Sequence, residues 1–327
     1  MSDGTRTVSV RLVDAFADEP LAGNPAGVVR DADELVDEQM QAIARELSVS
    51  ETAFLFESDE ADYRIRYFTP TREVDLCGHA TIGSFVSLYE AGDVDAGTTT
   101  LETDVGVLDV DVEGDGTVWM SQGAPTVREV DLAYERVAEA LGVEVAALEG
   151  VGEDLPLAVA STGLPFLIVP IVYLQDVGGA DPDMAAIESL ADEVDATGVY
   201  LFTFDALEAE STLHGRMFAP GAGIQEDPVT GTASGATGAY LNRFGAFSGG
   251  SPETLAAGTG AGDVGVAVAT DAEVPDEMRF EQGHYVDRPG FVRVRVDGEV
   301  RVGGRGVVSL DGRLVVPQVA DDEILEG

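Results

Sequence analysis

Glu51 is the carboxylate of this chain best suited to moving a proton. It lies in an otherwise apolar segment, Ser50 to Phe56, whose pattern predicts a buried strand. Desolvation raises the pKa of a carboxylate toward neutrality, which suits a general acid/base that takes up a proton and returns it. A strand-end carboxylate that faces water or pairs with an arginine is the structural alternative.

Three further reactive side chains flank two predicted helix starts. Cys77 precedes the first start, where the helix dipole lowers the pKa of a thiol, although a small packed residue is the alternative. His79 lies just inside the same start, and Asp227 precedes the second. We expect His79 and Asp227 to meet across a cleft and to hydrogen-bond a substrate beside Glu51. A satisfied core imidazole and a helix cap are the alternatives for this pair.

Both helix starts belong to a sequence motif that occurs twice in the chain. The first copy is Arg66-Tyr67-Phe68-Thr69-Pro70 followed by Cys77-Gly78-His79-Ala80-Thr81. The second is Arg216-Met217-Phe218-Ala219-Pro220 followed by Thr230-Gly231-Thr232-Ala233-Ser234. The pattern predicts an internal duplication.

Residues that differ between the copies are the candidates for chemistry. We match Leu55-Phe56 to Leu201-Phe202, which puts the counterpart of Glu51 near Thr197. The counterpart of Cys77 is Thr230, whose hydroxyl is too weakly acidic to serve as a twin base. The carboxylate and the thiol therefore belong to the first copy alone.

The duplicated helices are predicted to be buried on all sides, because they carry few charges and many small residues: Ala80, Gly83, Ser84, Ala233, Gly235, Ala236 and Gly238. We therefore expect an α+β fold of two pseudo-symmetric lobes, each a barrel-like, mostly antiparallel sheet around a central helix. A joint near Pro125 divides the chain into lobes 1–125 and 126–307. A strand from about 308–327 is expected to return to the first lobe.

A helix start offers unpaired N–H groups and a partial positive charge, so two of them facing each other would hold one small anion. Glycines that only permit tight packing are the alternative. The candidate substrate contacts are Ser50, Cys77, Gly78, Thr230, Gly231 and the amide and hydroxyl of Thr232.

Two more helices are predicted from apolar spacing. Asp33 is expected to cap the first, in which Val36, Met40, Ile43 and Leu47 form one stripe. The other is expected to run from Asp183 to about Val194.

The charge balance points to a salt-loving host. The chain has 61 acidic and 18 basic residues, for a net charge of −43, and every basic residue is an arginine. At molar salt the Debye length falls to about 3 Å and screens such self-repulsion. An acidic partner-binding tail would need clustered charge, and nucleic-acid binding would need a basic patch, so both are disfavoured.

The remaining composition favours a cytoplasmic protein without a metal. We find no apolar run long enough to cross a bilayer and no signal peptide at the start of the sequence. The single cysteine is expected to be a free thiol in a reducing compartment, and the three histidines lack zinc-ligand spacing.

Taken together, the motifs resemble the PhzF family of phenazine-biosynthesis-like proteins, which share the diaminopimelate-epimerase-like fold. The resemblance spans nearly the whole chain and rests on these motifs: Val13-Asp14-Ala15-Phe16, Gly23-Asn24-Pro25-Ala26, Ser50-Glu51-Thr52-Ala53-Phe54, Phe68-Thr69-Pro70, Cys77-Gly78-His79-Ala80-Thr81, Ser161-Thr162-Gly163, Glu226-Asp227-Pro228-Val229-Thr230-Gly231-Thr232-Ala233, Gln282-Gly283 and Arg288-Pro289-Gly290.

The resemblance implies an active site between the lobes, a homodimer and no cofactor. The name-giving member isomerises trans-2,3-dihydro-3-hydroxyanthranilate with a glutamate, a histidine and an aspartate, which match Glu51, His79 and Asp227. Thr232 stands where that family commonly has serine.

We therefore expect an isomerase that relocates a proton within a small carboxylic acid, with Glu51 as general acid/base. A two-base epimerase or racemase that uses Cys77, and a binding protein without turnover, are the alternatives.

Overall fold

A computed structural model describes residues 6–151, 155–247 and 275–318 of the chain. These residues form two units. Unit 1 contains the residues up to Met120 together with those from Gly303 onward, and unit 2 runs from Ser121 to Val302. Residues 319–327 of the predicted return strand lie outside the described residues. No helix in the described ranges has the length and apolar character that a membrane span requires.

In chain order the strands are β1 (Thr7–Ala15), β2 (Asn24–Val29), β3 (Glu51–Phe56), β4 (Tyr63–Phe68), β5 (Glu73–Val74), β6 (Gly97–Thr103), β7 (Gly106–Val112), β8 (Val118–Ser121), β9 (Thr126–Glu129), β10 (Ala158–Ser161), β11 (Pro165–Pro170), β12 (Gly198–Thr203), β13 (Leu213–Ala219), β14 (Ile224–Asp227), β15 (Met278–Gln282), β16 (Gly290–Asp297), β17 (Glu299–Gly304) and β18 (Gly306–Val315). The helices are α1 (Asp37–Leu47), α2 (Gly78–Ala91), α3 (Tyr134–Leu141), α4 (Ala146–Glu149), α5 (Leu174–Gly179), α6 (Met184–Glu193) and α7 (Gly231–Arg243).

The sheet of unit 1 runs in the order β18, β1, β2, β3, β4, β6, β7, with short β5 also on β4. The pairs β2–β3 and β4–β6 are parallel, and the other pairs in this row are antiparallel. Helix α2 packs against β1, β2, β3 and β18. Unit 1 is thus a mostly antiparallel sheet that covers one central helix.

Unit 2 repeats this topology strand for strand. Its order is β9, β10, β11, β12, β13, β15, β16, with β14 also on β13. The pairs β11–β12 and β13–β15 are parallel, at the same places as in unit 1. Helix α7 packs against β9, β10, β11 and β16. The predicted internal duplication is confirmed.

Both central helices are buried as their small residues predict. Ala80 to Leu88 of α2 are all buried, and α7 is buried from Ala233 to Leu241. A Cβ atom on Gly238 of α7 would meet Val294 Cγ1 at 2.6 Å, so a larger residue there would push β16 away. Small side chains allow the sheet to approach the helix on several sides, which an amphipathic helix does not permit.

The predicted match between the copies is one residue out of register in β3 and β12. Phe54 lies opposite Arg66, whereas Leu201 lies opposite Arg216, so Leu201 is the counterpart of Phe54 and not of Leu55. Strands buried on both faces have continuous apolar sequences, which do not mark which residue faces which side. The sequence pattern therefore left the register undetermined by one step.

This register makes Gly198, not Thr197, the counterpart of Glu51. Glu51 lies opposite Ala26 on β2, and Gly198 lies opposite Phe166 on β11. A Cβ atom on Gly198 would meet the carbonyl oxygen of Phe218 at 2.4 Å. Unit 2 therefore has no room for a side chain at this position, and the carboxylate occurs in unit 1 alone.

The predicted cap of α1 is wrong. The helix begins at Asp37, and the Gln39 side chain accepts a hydrogen bond from the Val36 N–H. Asp33 instead accepts the N–H of Glu57, 3.0 Å away. The helix predicted from Asp183 to about Val194 is α6, and Asp183 is its N-cap, because its side chain accepts the N–H groups of Ala185 and Ala186.

Each unit also contains an arginine fork, by which we mean the Arg66–Glu73 pair in unit 1 and the Arg216–Glu226 pair in unit 2. Arg216 donates from Nε and Nη2 to both carboxylate oxygens of Glu226, at 2.9 and 2.8 Å. Arg66 binds Glu73 in the same two-point manner. Both guanidinium groups also lie over the phenylalanine two residues on, at 5.2 and 5.0 Å from the ring centroid.

We expect Arg216→Lys to lower the free energy of unfolding by about 3 kcal/mol, because lysine keeps the charge but loses the planar fork in a site that excludes water. Arg216 is 8% exposed, and its Nη1 also donates to the carbonyls of Val177 and Ala180. Urea denaturation at constant molar salt measures the change.

Arg66→Lys is the matched control in the other unit. Arg66 and Glu73 are 18% and 33% exposed, so we expect a smaller loss of about 1 kcal/mol there. Equal losses in the two variants would contradict the role of burial in this prediction.

Candidate functional site

The first turn of α2 presents free backbone donors. Cys77 is its N-cap in an extended conformation, without a side-chain capping hydrogen bond. The helical ladder begins only at Thr81, whose N–H donates to the Cys77 carbonyl at 3.0 Å. The amides of Gly78 and His79 precede that first bond, as expected of a helix start that binds anions.

Helix α7 starts in the same way. Thr230 is its extended N-cap, again without a side-chain capping bond, and Ser234 N–H donates to the Thr230 carbonyl at 3.0 Å. Gly231 is buried and Thr232 is partly exposed at the start of this helix. The geometry of each start is the one predicted, and anion binding by either stays a prediction.

Four of the predicted residues meet in unit 1. The imidazole Nε2 of His79 lies 3.3 Å from Glu51 Oε2 and 3.2 Å from Ser50 Oγ. The Nδ1 atom of the same ring lies 3.4 Å from Cys77 Sγ. His79 therefore joins the carboxylate, the hydroxyl and the thiol into one group, which we call the Glu51 cluster.

The cluster assembles because a strand start and a helix start lie side by side. Ser50 and Glu51 open β3, Cys77 and Gly78 open α2, and α2 packs against β3. Buried Tyr67 on β4 steadies the helix start, since its hydroxyl lies 2.6 Å from Thr81 Oγ1, which in turn donates to the Cys77 carbonyl. Burial raises the pKa of Tyr67 above its ordinary value, so this phenol stays protonated.

Glu51 is the first residue of β3 and not part of its buried interior, so the predicted burial is only partial. Its side chain is 20% exposed and that of His79 is 12% exposed. The residues that follow, from Thr52 to Leu55, are buried. A substrate can therefore reach the carboxylate, which a fully buried glutamate would not permit.

The contacts fit the imidazole tautomer that carries its proton on Nε2. Nε2–H donates to Glu51, and Nδ1 then accepts from the thiol of Cys77. In this tautomer His79 holds the Glu51 carboxylate in place.

In unit 2, Asp227 binds the helix start directly. Its Oδ2 accepts the hydroxyl of Thr230 at 2.5 Å. The Gln282 amide nitrogen donates to the Asp227 carbonyl at 2.8 Å and to Thr230 Oγ1 at 3.2 Å, and its oxygen accepts the Thr230 N–H at 3.3 Å. Gln282, which is 1% exposed, therefore fixes both residues.

The sequence prediction assigned no role to Gln282 or to Thr162. The Thr162 hydroxyl donates to the carbonyl of Thr232 at 3.4 Å, within the first turn of α7. Both residues belong to short motifs beside a glycine, Ser161-Thr162-Gly163 and Gln282-Gly283. That pairing is the signal in the sequence that could have identified them.

The Glu51 cluster also contains the donor types of a metal site. Among the described residues, Glu51, Cys77 and His79 form one group of potential ligands whose donor atoms all lie within 4.8 Å of one another. The sequence predicted no metal because ligand spacing was sought along the chain, whereas these ligands come from two separate elements.

Unit 2 also contains a buried acid–base group, which includes Glu281, the residue before Gln282. His214 Nδ1 lies 3.1 Å from Glu281 Oε1, and both side chains are fully buried. Burial raises the pKa of Glu281, but hydrogen bonds from His214 and from the Leu207 N–H outweigh it, so this pKa lies below its ordinary value. Burial, followed by the nearby His214, lowers the pKa of His284.

Both lowered pKa values mean that the folded protein binds fewer protons than the unfolded chain. Their contribution to stability is present above the unfolded pKa values and is lost as the pH falls through the folded ones, starting near 6.5 for His284. When the pH is lowered from 7.5 to 5.5, we expect the Tm of the wild type to fall further than the Tm of His284→Gln, by on the order of 2 °C. Calorimetry in molar salt tests this, and equal losses would contradict it.

Comparison with known proteins agrees with the duplicated architecture. The family model described as phenazine biosynthesis-like protein matches residues 13–312. An uncharacterized isomerase of Bacillus subtilis is 39% identical over 245 residues, or 73% of this chain and 83% of the relative.

Two solved structures share the fold. The crystal structure of a phenazine biosynthesis protein of the PhzF family from Bacillus anthracis is 32% identical, with a TM-score of 0.78, and covers 95% of this chain and 100% of that one. A predicted epimerase from Pseudomonas aeruginosa is 28% identical, with a TM-score of 0.70, and covers 95% and 100%.

Two α+β units of one topology, each with a glycine-led central helix, define the fold class. The chain belongs to the phenazine biosynthesis-like (PhzF) family. The family resemblance and the α+β fold that the sequence predicts are confirmed.

Proposed function

We propose that the protein is an isomerase that relocates a proton within a small carboxylic acid without a cofactor, and that Glu51 is its general acid/base. Family membership and the isomerase name of a relative support the reaction class. The observation that carries the residue assignment is the contact between Glu51 Oε2 and His79 Nε2, 3.3 Å apart at an uncapped helix start.

In the proposed reaction the substrate carboxylate binds the first-turn amides of Gly78 and His79. The Glu51 carboxylate removes a proton from a carbon next to an activating group, and the electron pair left behind is delocalised over the substrate. Glu51, now a carboxylic acid, returns the proton to a different carbon. Atoms and charge balance within one molecule, and the enzyme ends in its starting state.

His79 serves as a positioning residue for Glu51. Its Nε2–H holds one carboxylate oxygen, while the other oxygen of Glu51 is available to the substrate. Ser50 Oγ contacts the same ring nitrogen and limits rotation of the imidazole. Proton transfer demands such fixed geometry, because the base must lie within hydrogen-bond reach of the proton that it removes.

The substrate, the oligomeric state, the cellular location and the substrate contacts of unit 2 stay predictions. A substrate of the trans-2,3-dihydro-3-hydroxyanthranilate type and a homodimer follow from the resemblance, and the cytoplasm of a salt-loving host follows from composition. Substrate contacts from Asp227, Thr230, Gly231 and Thr232 follow from their places at the second helix start. Asp227→Asn, which keeps the shape but removes the charge, tests the aspartate independently of Glu51.

We expect Glu51→Gln to reduce solvent-deuterium incorporation into a turned-over substrate by about 10²- to 10⁴-fold, since glutamine accepts no proton. Mass spectrometry of small carboxylates incubated with the protein in D₂O and molar salt finds the substrate and measures the rate.

Glu57→Gln is the matched control, because Glu57 is an exposed glutamate just after the same strand. We expect it to keep the wild-type rate. Deuterium exchange by Glu51→Gln at the wild-type rate would contradict the assignment of Glu51 as the general acid/base. No exchange by the wild type with any carboxylate would favour the binding protein without turnover.

A two-base epimerase is the second candidate, since Cys77 Sγ lies 3.4 Å from His79 Nδ1. The proposed single-base reaction needs no thiol, so we expect Cys77→Ser to keep the exchange rate within about tenfold. A loss of more than about 10²-fold, the minimum typical of a removed catalytic base, would support the epimerase.

A further inference from the structure

We propose that Glu51, Cys77 and His79 bind a divalent cation of the zinc type and that the bound cation switches off proton transfer at Glu51. Binding is argued from the ligand atoms alone. The inhibition rests, in addition, on the function proposed above.

The three side chains offer one oxygen, one sulfur and one nitrogen, the donor set that zinc and cobalt accept. His79 Nε2 lies 3.3 Å from Glu51 Oε2 and 4.0 Å from Cys77 Sγ. Neighbouring ligand atoms of a tetrahedral zinc ion lie roughly 3.3–3.8 Å apart, given bonds of about 2.0–2.3 Å. The oxygen and nitrogen already have this spacing, the sulfur is a few tenths of an ångström too far from the nitrogen, and all three donor atoms lie within 4.8 Å of one another.

The ligands are held by regular elements and not by a loose loop. Cys77 and His79 flank Gly78 at the start of α2, and Glu51 opens β3, against which that helix packs. Three protein ligands leave a fourth position for water, the arrangement of an open zinc site. The partial exposure of Glu51 and His79 gives the cation a way in.

The sulfur ligand separates this site from the rest of the acidic surface. The 61 acidic residues offer carboxylate oxygens to hard cations such as Mg²⁺ and Ca²⁺ in many places. Thiolate and imidazole select zinc-type cations instead. Molar salt screens the general attraction of a −43 chain for cations, so binding that persists there reports the ligands themselves.

A cation at this site would occupy both groups that the proposed reaction requires. The Glu51 carboxylate would be a metal ligand, and the charge of the cation would make both of its oxygens poor proton acceptors. His79 Nε2 would no longer hold the carboxylate. Zinc is therefore expected to inhibit reversibly, and a chelator to restore the reaction.

Cobalt titration of the chelator-treated full-length chain in molar salt tests the binding. The chain has one cysteine, so a sulfur-to-cobalt charge-transfer absorption can come from Cys77 alone. We expect this band to saturate at one equivalent and to disappear when Zn²⁺ displaces Co²⁺. Absence of the band in the wild type at millimolar Co²⁺ would overturn the site.

Calorimetric Zn²⁺ titration of variants tests the other ligands. We expect Cys77→Ser, His79→Gln and Glu51→Gln each to weaken zinc binding by at least about tenfold, with folding checked by circular dichroism. His284→Gln, which replaces a histidine of unit 2, should bind like the wild type. Equal affinity in the wild type and Cys77→Ser would mean surface binding only and would overturn the proposal.

The inhibition is measured as the rate of deuterium exchange at saturating Zn²⁺. We expect at least a tenfold reduction, reversed by a chelator. Undiminished exchange in the zinc-loaded protein would overturn the proposed inhibition. The proposed binding site would still stand if the cobalt band is present. If the metal-free protein exchanges no carboxylate, the proposed function and the switch both fail, and the cobalt band still decides the metal site.

Discussion

The arginine fork is the interaction on which each helix start depends. A guanidinium group that binds both oxygens of a glutamate fastens the short strand β5 or β14 to its neighbour. The same guanidinium group lies over the ring of Phe68 or Phe218 in a cation–π contact. The two-point bond compensates for the water that these charges lose, which a single-point contact would not achieve. The chain leaves the fastened strand and enters the glycine-led helix within a few residues, so the position of the first-turn amides follows from the fork.

Within this common frame, the two units carry different side chains at equivalent positions. Asp227 pairs with Met217 on the ladder of unit 2, and Val74 takes that place beside Tyr67 in unit 1. The N-cap is Cys77 in one helix and Thr230 in the other, and the second helical residue is His79 or Thr232. Glu51 opens β3 in unit 1, and Gly198 opens the equivalent strand β12 in unit 2. The duplication supplies two similar helix starts, and unit 1 combines one with the Glu51 carboxylate and the His79 imidazole, whereas unit 2 combines the other with the Asp227 carboxylate.

Sequence reasoning predicted the features that depend on residue type and failed where several elements combine. Small residues without a polar face identified α2 and α7 as buried helices, and the repeated motif identified the duplication. The register of β12 was missed by one step because a continuous apolar strand carries no facing signal. Asp33 was assigned to the nearest helix start, whereas tertiary structure placed it beside Glu57. The contact of Cys77 and His79 with Glu51 depends on packing between α2 and β3, which no local spacing encodes.

The proposed reaction requires one carboxylate, Glu51, both to remove and to return the proton. The most direct measurement uses the substrate found by exchange screening, with deuterium at the carbon that loses its proton, in a single turnover in ordinary water. A single base carries part of that deuterium to the accepting carbon before solvent exchange removes it, so we expect a product with measurable label at the new position. If Glu51→Gln formed the product at the wild-type rate and without deuterium at that carbon, Glu51 would not be the base.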